Sequence, residues 1–155
     1  MEGNLEAVEG SAMQIAPVIA RIKSQVTVLA NRVQLATSLE AITADGIKGY
    51  PCAYLFTPAE RADANALLNY ISQRMEDTFG VLLIVRNVSD SRGDAAYAEL
   101  DALRPLLRTA LLGWTYADGV RPIECVGGEL LYAKDGLVIW NDKFKTDYYA
   151  RAPYV

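Results

Sequence analysis

The side chains able to do chemistry in this chain are carboxylates, arginines and tyrosines: it holds 19 Asp and Glu, 15 Lys and Arg, nine Tyr, two Cys and no His. Without histidine it has no Ser-His-Asp or Cys-His triad, no H-E-x-x-H zinc site and no imidazole acid or base. Any metal site must be built from carboxylates. Cys52 and Cys125 are far apart and outside any C-x-x-C pair, so both are expected to be reduced, buried thiols. The chain also lacks a G-x-G-x-x-G, G-x-x-x-x-G-K or G-x-S-x-G motif, and no cofactor is expected.

Two constellations remain. Arg86, Asp90, Arg92 and Asp94 crowd one polar turn, which can be read as an anion site or a catalytic pair. The simpler reading is a solvated turn with a helix cap and surface ion pairs worth ~0–1 kcal/mol each. What remains for function goes to an intersubunit contact rather than to catalysis. Glu124, Glu129, Asp135, Asp142 and Asp147 form the second group. Two carboxylates suffice for a glycosidase pair or a divalent cation, yet these fall on hairpin strands without a cleft, which favours a solvated sheet edge and turn. Tyr148, Tyr149 and Tyr154 close the chain as an aromatic tail. Its rings either pack on the body or dock against a neighbour.

The elements that must position these residues follow from periodicity. Ile15, Ile19, Ile22, Val26 and Leu29 recur at four- and three-residue steps, which predicts a helix from about Ser11 to Leu29. Ser11 and Gln14 have capping-box spacing, but Pro17 suits a first helical turn, which moves the regular start toward Ala16. Leu35, Leu39 and Ile42 suggest a second, short helix ended by Asp45-Gly46, Gly49 and Pro51. CAYLFT at 52–57 reads as a strand and the polar AERADAN after it as a loop. In residues 70–87, Ile71, Met75 and Phe79 recur at helical four-residue steps, while Ile71, Gln73, Met75, Asp77 and Phe79 also share one face of a strand. VLLIVRN is the clearer strand, and the β-formers favour one long strand pairing with 52–57, with Gly80 marking a bulge or bend.

At Asn87 that strand meets S-D-S-R-G-D, where Ser91 and Asp94 have the form of a capping box. The helix that follows has Ala96, Leu100, Leu103, Leu107 and Leu111 on its inner face, and Gly113-Trp114 suits a left-handed cap. Pro105 predicts a kink at 101–105 or two abutting helices. Asp135-Gly136 between IECVGGELLYAK and LVIWNDKFKTDYY predicts a hairpin. A two-residue turn sets Tyr132 against Ile139, Leu131 against Trp140, Gly127 against Phe144 and, unfavourably, Glu129 against Asp142, so a bulge at Gly127-Gly128 is expected to shift the pairing. The sum is an α+β fold with a four-stranded, mainly antiparallel sheet and flanking helices.

At 155 residues this is the size of one domain, with residues 1–13 as an N-terminal extension and 14–155 as the α+β body. A hydrophobic content of 52% and a mean hydropathy of +0.09 imply that some apolar area faces a partner. No apolar stretch approaches the ~20 residues of a membrane span, and the N-terminus lacks the basic start of a signal peptide. The chain is therefore expected to be made and kept in the cytoplasm. Its net charge of -4, with scattered cations, offers no basic stripe, so nucleic acid is not an obvious ligand.

The strings FGVLLIVRNVSDSRGDAA, LDALRPLLRTALLGW and ELLYAKDGLVIWNDKFKTDYY, with the PVIARIK helix before them, resemble the phage tail terminators of Mu-like and related long-tailed phages. The likeness covers about residues 15–150. It rests on an F-G-V strand ending V-R-N, a D-x-R-G-x-A turn, an L-x-x-L-R helix closing at L-L-G-W, and a D-G-x-x-x-W-x-D-x-F hairpin. The element order is also similar to that of lambda-type terminators. The resemblance implies a non-enzymatic virion protein that forms a hexameric ring, binds the head-proximal end of the tail tube, stops its polymerisation and meets the head-tail connector proteins. DNA would pass through the lumen without specific binding, which an acidic balance accommodates. For such a protein the candidate subunit or tube contacts are Arg86, Asp90, Arg92 and Asp94, with Tyr148 and Tyr149.

Overall fold

A computed structural model describes residues 8–9, 14–38, 40–42, 46–56 and 59–154. Helix α1 (Ile15–Gln25) begins without a side-chain cap. Pro17 sits in its first turn, where a missing N–H costs nothing. The proposed Ser11 cap lies outside the described residues. The helix gives way to a 3-10 turn at Thr27–Leu29, so Val26 and Leu29 reach the core from beyond its end.

Strands β1 (Val8–Glu9), β2 (Val33–Ala36), β3 (Cys52–Phe56), β4 (Ala59–Ala62), β5 (Tyr70–Arg86), β6 (Glu124–Lys134) and β7 (Leu137–Pro153) share one sheet, with helix α2 (Asp94–Leu111) between β5 and β6. The sheet is therefore wider than the four strands expected. Leu35, assigned to a short helix by spacing, lies instead in β2, parallel to β3. Only residues 40–42 of that region are described as helical, and Leu39 and Asp45 lie outside the described residues. The AERADAN loop is also corrected, because Ala59–Ala62 pairs antiparallel with Met75–Thr78. Those residues are weak β-formers, and their strand state comes from the partner's exposed ladder.

The two 17-residue strands β5 and β7 form the spine, paired without interruption from Tyr70↔Pro153 to Arg86↔Leu137. Gly80 makes no bulge in that ladder. A Cβ there would stand 2.6 Å from Asn141 Oδ1, so the glycine makes room for a neighbouring side chain. The outer edge of β5 carries β3 and β4, and that of β7 carries β6 and β1.

Odd-numbered residues of β5 and even-numbered residues of β7 face the helices. Phe79, Val81, Leu83, Val85, Val138 and Phe144 pack there with Val18 and Ile22 of α1 and Ala96, Leu100, Leu103, Leu107 and Leu111 of α2. Phe79 and Phe144 stack at 5.6 Å. Truncating one of these leucines to Ala is worth about 2–5 kcal/mol. The opposite face holds a smaller cluster of Leu82, Ile84, Cys52, Ala36 and Ile42. Helix α2 runs as one element through Pro105, not as two. Near its end, Arg21 Nε donates to the Ala110 carbonyl at 2.9 Å, satisfying a carbonyl left free by the helix terminus. Gly113, at φ 79°, then turns Trp114 back against the core.

Candidate assembly surface

The charged turn after β5 is built by Asp90. Its Oδ1 accepts from the backbone N–H of Gly93 (2.6 Å) and of Asp94 (3.1 Å), and its Oδ2 accepts from that of Ala95 (3.0 Å). Asp90, not Ser91, is thus the side chain that caps α2, because Gly93 at φ 81° bends the backbone N–H groups toward it. Arg92 pairs with Asp94 at 3.0 Å, both ends largely in solvent. Arg86 is exposed at the end of β5. The four residues share one end of the molecule and form no enclosed site.

Tyr148 and Tyr149 are strand residues of β7, opposite Met75 and Arg74. Tyr148 is buried and its hydroxyl donates to Glu60 Oε2 at 3.0 Å. Burial and that carboxylate push its phenol up to about 12. Tyr149 is on the exposed side, with the Arg151 guanidinium 5.0 Å from its ring.

The hairpin carboxylates divide in a way their sequence did not show. Glu124, Glu129 and Asp135 are exposed, as expected of a solvated edge. Asp142 and Asp147 are buried, which corrects that expectation. Asp142 Oδ1 accepts from Trp140 Nε1 at 2.9 Å and from Arg108 Nη2 at 3.2 Å. Arg104 lies 4.0 Å over the Trp140 ring, its Nε 3.9 Å from Asp142 Oδ2. Gly128 closes this arrangement, since a Cβ there would stand 2.7 Å from Asp142 Oδ1. Asp147 Oδ2 accepts from Arg74 Nη2 at 2.7 Å, within a network that also holds Asp63, Glu76 and Lys145. Arg74 and Lys145 hold the Glu76 carboxyl below its ordinary range.

Arg104, Arg108 and Trp140 were not singled out in the sequence. The available signal was that Arg104 and Arg108 share a helix face while Trp140 and Asp142 share a strand face.

These arginine-bound carboxylates have the geometry of a structural clamp. Among the described residues no group of three His, Cys, Asp or Glu is placed to hold a metal ion. A depression of about 430 Å³ opens beside β2, lined by Asn31, Arg32, Gln34, Ile47, Lys48 and Tyr54. Cys52 lines it as well, but burial pushes its thiol up to about 11, so the nucleophilic thiolate is scarce at neutral pH. Cys125 is half-buried rather than buried, and neither cysteine is in a disulfide.

Exposed apolar side chains are spread over several elements among the described residues, including Leu68, Val88 and Leu106, and four of them lie on β6. Val126, Leu130, Leu131 and Tyr132 are each between 42% and 52% exposed. A register shift at Leu131 sets Leu130 rather than Leu131 opposite Trp140 and Glu129 opposite Asn141 instead of Asp142, within 3.0 Å of Lys143, and a second shift at Val126 sets Cys125 rather than Gly127 opposite Phe144. The like-charge pair is thereby avoided, with one shift earlier and one later than the Gly127-Gly128 position expected.

The profile of the phage tail terminator protein family matches residues 9–154 of the chain. Among solved structures, a chain from the virion of a native gene transfer agent particle superposes with a TM-score of 0.62, covering 95% of this chain and 96% of that one at 12% identity. At that identity the likeness is one of fold. No curated protein matches the sequence.

Proposed function

Because the chain belongs to the phage tail terminator family, we propose that it caps the head-proximal end of a tail tube, stops tube polymerisation and presents a surface to the head connector. It is a structural tail protein of the virion, and its partners are other tail or head components. In this reading it acts as a hexameric ring without catalysis or cofactor, and DNA passes through the lumen. The turn Arg86–Asp94 and the face carrying Tyr149 are its candidate contacts. Buried Tyr148 is on the other side of the strand, where its hydroxyl donates to Glu60.

The observation that carries this reading is the family match over residues 9–154. The site chemistry agrees with it: buried Asp142 and Asp147 are bound by arginines, while four exposed apolar side chains line the β6 strand, an arrangement suited to assembly. The deciding experiment is to measure tail lengths in particles made without this protein. Overlong tubes are expected, and tails of natural length would overturn the reading.

A further inference from the structure

We infer that the open edge of β6 in one copy pairs with the open edge of β2 in the next, so that the sheet continues from subunit to subunit. The inference rests on the ring reading above and names the surface that closes it. Across the helix-covered part of the sheet the order is β6-β7-β5-β3-β2, which leaves β6 and β2 as the two outer edges among the described residues. β6 is antiparallel to β7, β7 to β5 and β5 to β3, while β3 and β2 are parallel. β6 and β2 therefore run in opposite directions. Two copies placed side by side in the same orientation meet edge to edge as an antiparallel pair, with the four residues Gly127–Leu130 between the two register shifts of β6 matching the four of β2 in length. Such a head-to-tail contact uses two different patches and closes into a ring when the rotation permits.

The side chains on the two edges also match. On the helix face, Leu130 of β6 and Leu35 of β2 are both about half exposed, and each supplies the apolar cover the other lacks. On the opposite face β6 presents Glu124, Glu129 and Tyr132, by their pairing with Lys145, Asn141 and Ile139. The β2 edge presents on that same face the depression lined by Arg32, Gln34, Lys48 and Tyr54. Residues 31–36 and 46–49 include two cations and no acid, while residues 124–133 of β6 include two acids and no cation. Glu129 is already paired with Lys143 in its own copy, so the match in charge rests chiefly on Glu124 and on the exposed part of Glu129. β6 has no proline and eleven residues; left open, such an edge invites pairing with another chain.

The test uses Glu124→Lys/Glu129→Lys on one edge and Lys48→Glu on the other, read by light scattering after size exclusion with thermal unfolding as the folding control. Each variant alone is expected to weaken assembly at least ten-fold in concentration while unfolding like the natural chain. An equimolar mixture is expected to recover assembly, because alternating subunits place either the natural or the doubly reversed pair at every contact. Variants that assemble like the natural chain would overturn the edge contact and leave the ring standing. A mixture that fails to recover assembly would overturn it as well. A natural chain that stays monomeric at high concentration and with tail tube present would instead remove the ring reading itself.

Discussion

Arg108 on α2 donates a 3.2 Å hydrogen bond to Asp142 on β7, and that carboxylate has no exposed surface. The pair joins the helix layer to the strand beside the open β6 edge, together with Trp140 and Arg104. Losing Arg108 leaves the buried carboxylate with Trp140 and the more distant Arg104 alone, whereas losing the carboxylate releases arginines that can reach water. Arg108→Ala is therefore expected to cost about 2–3 kcal/mol, below the full buried-pair value because Arg108 is one-third exposed. Asp142→Asn should cost less. Urea unfolding of both variants checks the order.

Asp90 accepts three backbone hydrogen bonds at the start of α2. Asp90→Ala is expected to lower stability by about 1 kcal/mol, and Ser91→Ala by only a few tenths. Equal losses in thermal unfolding would mean that the cap is not Asp90.

The hairpin turn holds Asp135 at φ 55° and Gly136 at φ 77°, the pair of left-handed conformations a two-residue turn needs. A Cβ on Gly136 would also stand 2.5 Å from the Asn87 carbonyl oxygen. Gly136→Ala should therefore cost more than the ~1 kcal/mol of the backbone conformation alone, and Asp135→Asn should be nearly neutral. Chemical denaturation of the two variants separates these outcomes.

Tyr148 and Cys52 titrate higher in the folded chain, at about 12 and about 11. The unfolded chain gives up these protons first, near the ordinary values of 10 and 9. Stability from them is therefore complete below about pH 9 and falls as pH rises toward 11 and 12. Tyr148→Phe should flatten the upper part of that decline, measured as melting temperature against pH. At the acid end the lowered Glu76 acts oppositely, with stability present above its ordinary range and lost as pH falls.

Arg92 and Asp94 form an exposed pair, so Arg92→Glu is expected to change monomer stability by no more than about 0.5 kcal/mol. If this turn is an assembly contact, tube capping by the same variant falls much further. Equal loss of thermal stability in the isolated subunit would argue for a folding role.

What could be read in advance was local. The α2 stripe from Ala96 to Leu111, the long β5 strand, its pairing with β3 and the Asp135-Gly136 hairpin each depend on residues within a few positions or on one apolar match. The four-strand expectation failed where neighbours decide the state: β4 is polar and weakly β-forming, and its pairing comes from β5. Asp142 sits in the run NDKFKTD, where nothing marks it as buried. Its environment is supplied by Arg104 and Arg108, more than thirty residues earlier on another element.

The sequence by itself determined the absence of histidine chemistry, the periodicities of α1 and α2, the strand character of VLLIVRN, and the turn of the β6–β7 hairpin, because these depend on side-chain type and local backbone preference; the first half of β5 fitted helix and strand spacing alike. Only the tertiary structure decided which carboxylates are buried, which residue caps α2, and which strand edges stay open. Burial and edge exposure depend on what lies beside a strand across the sheet, and distant segments set that when they pack.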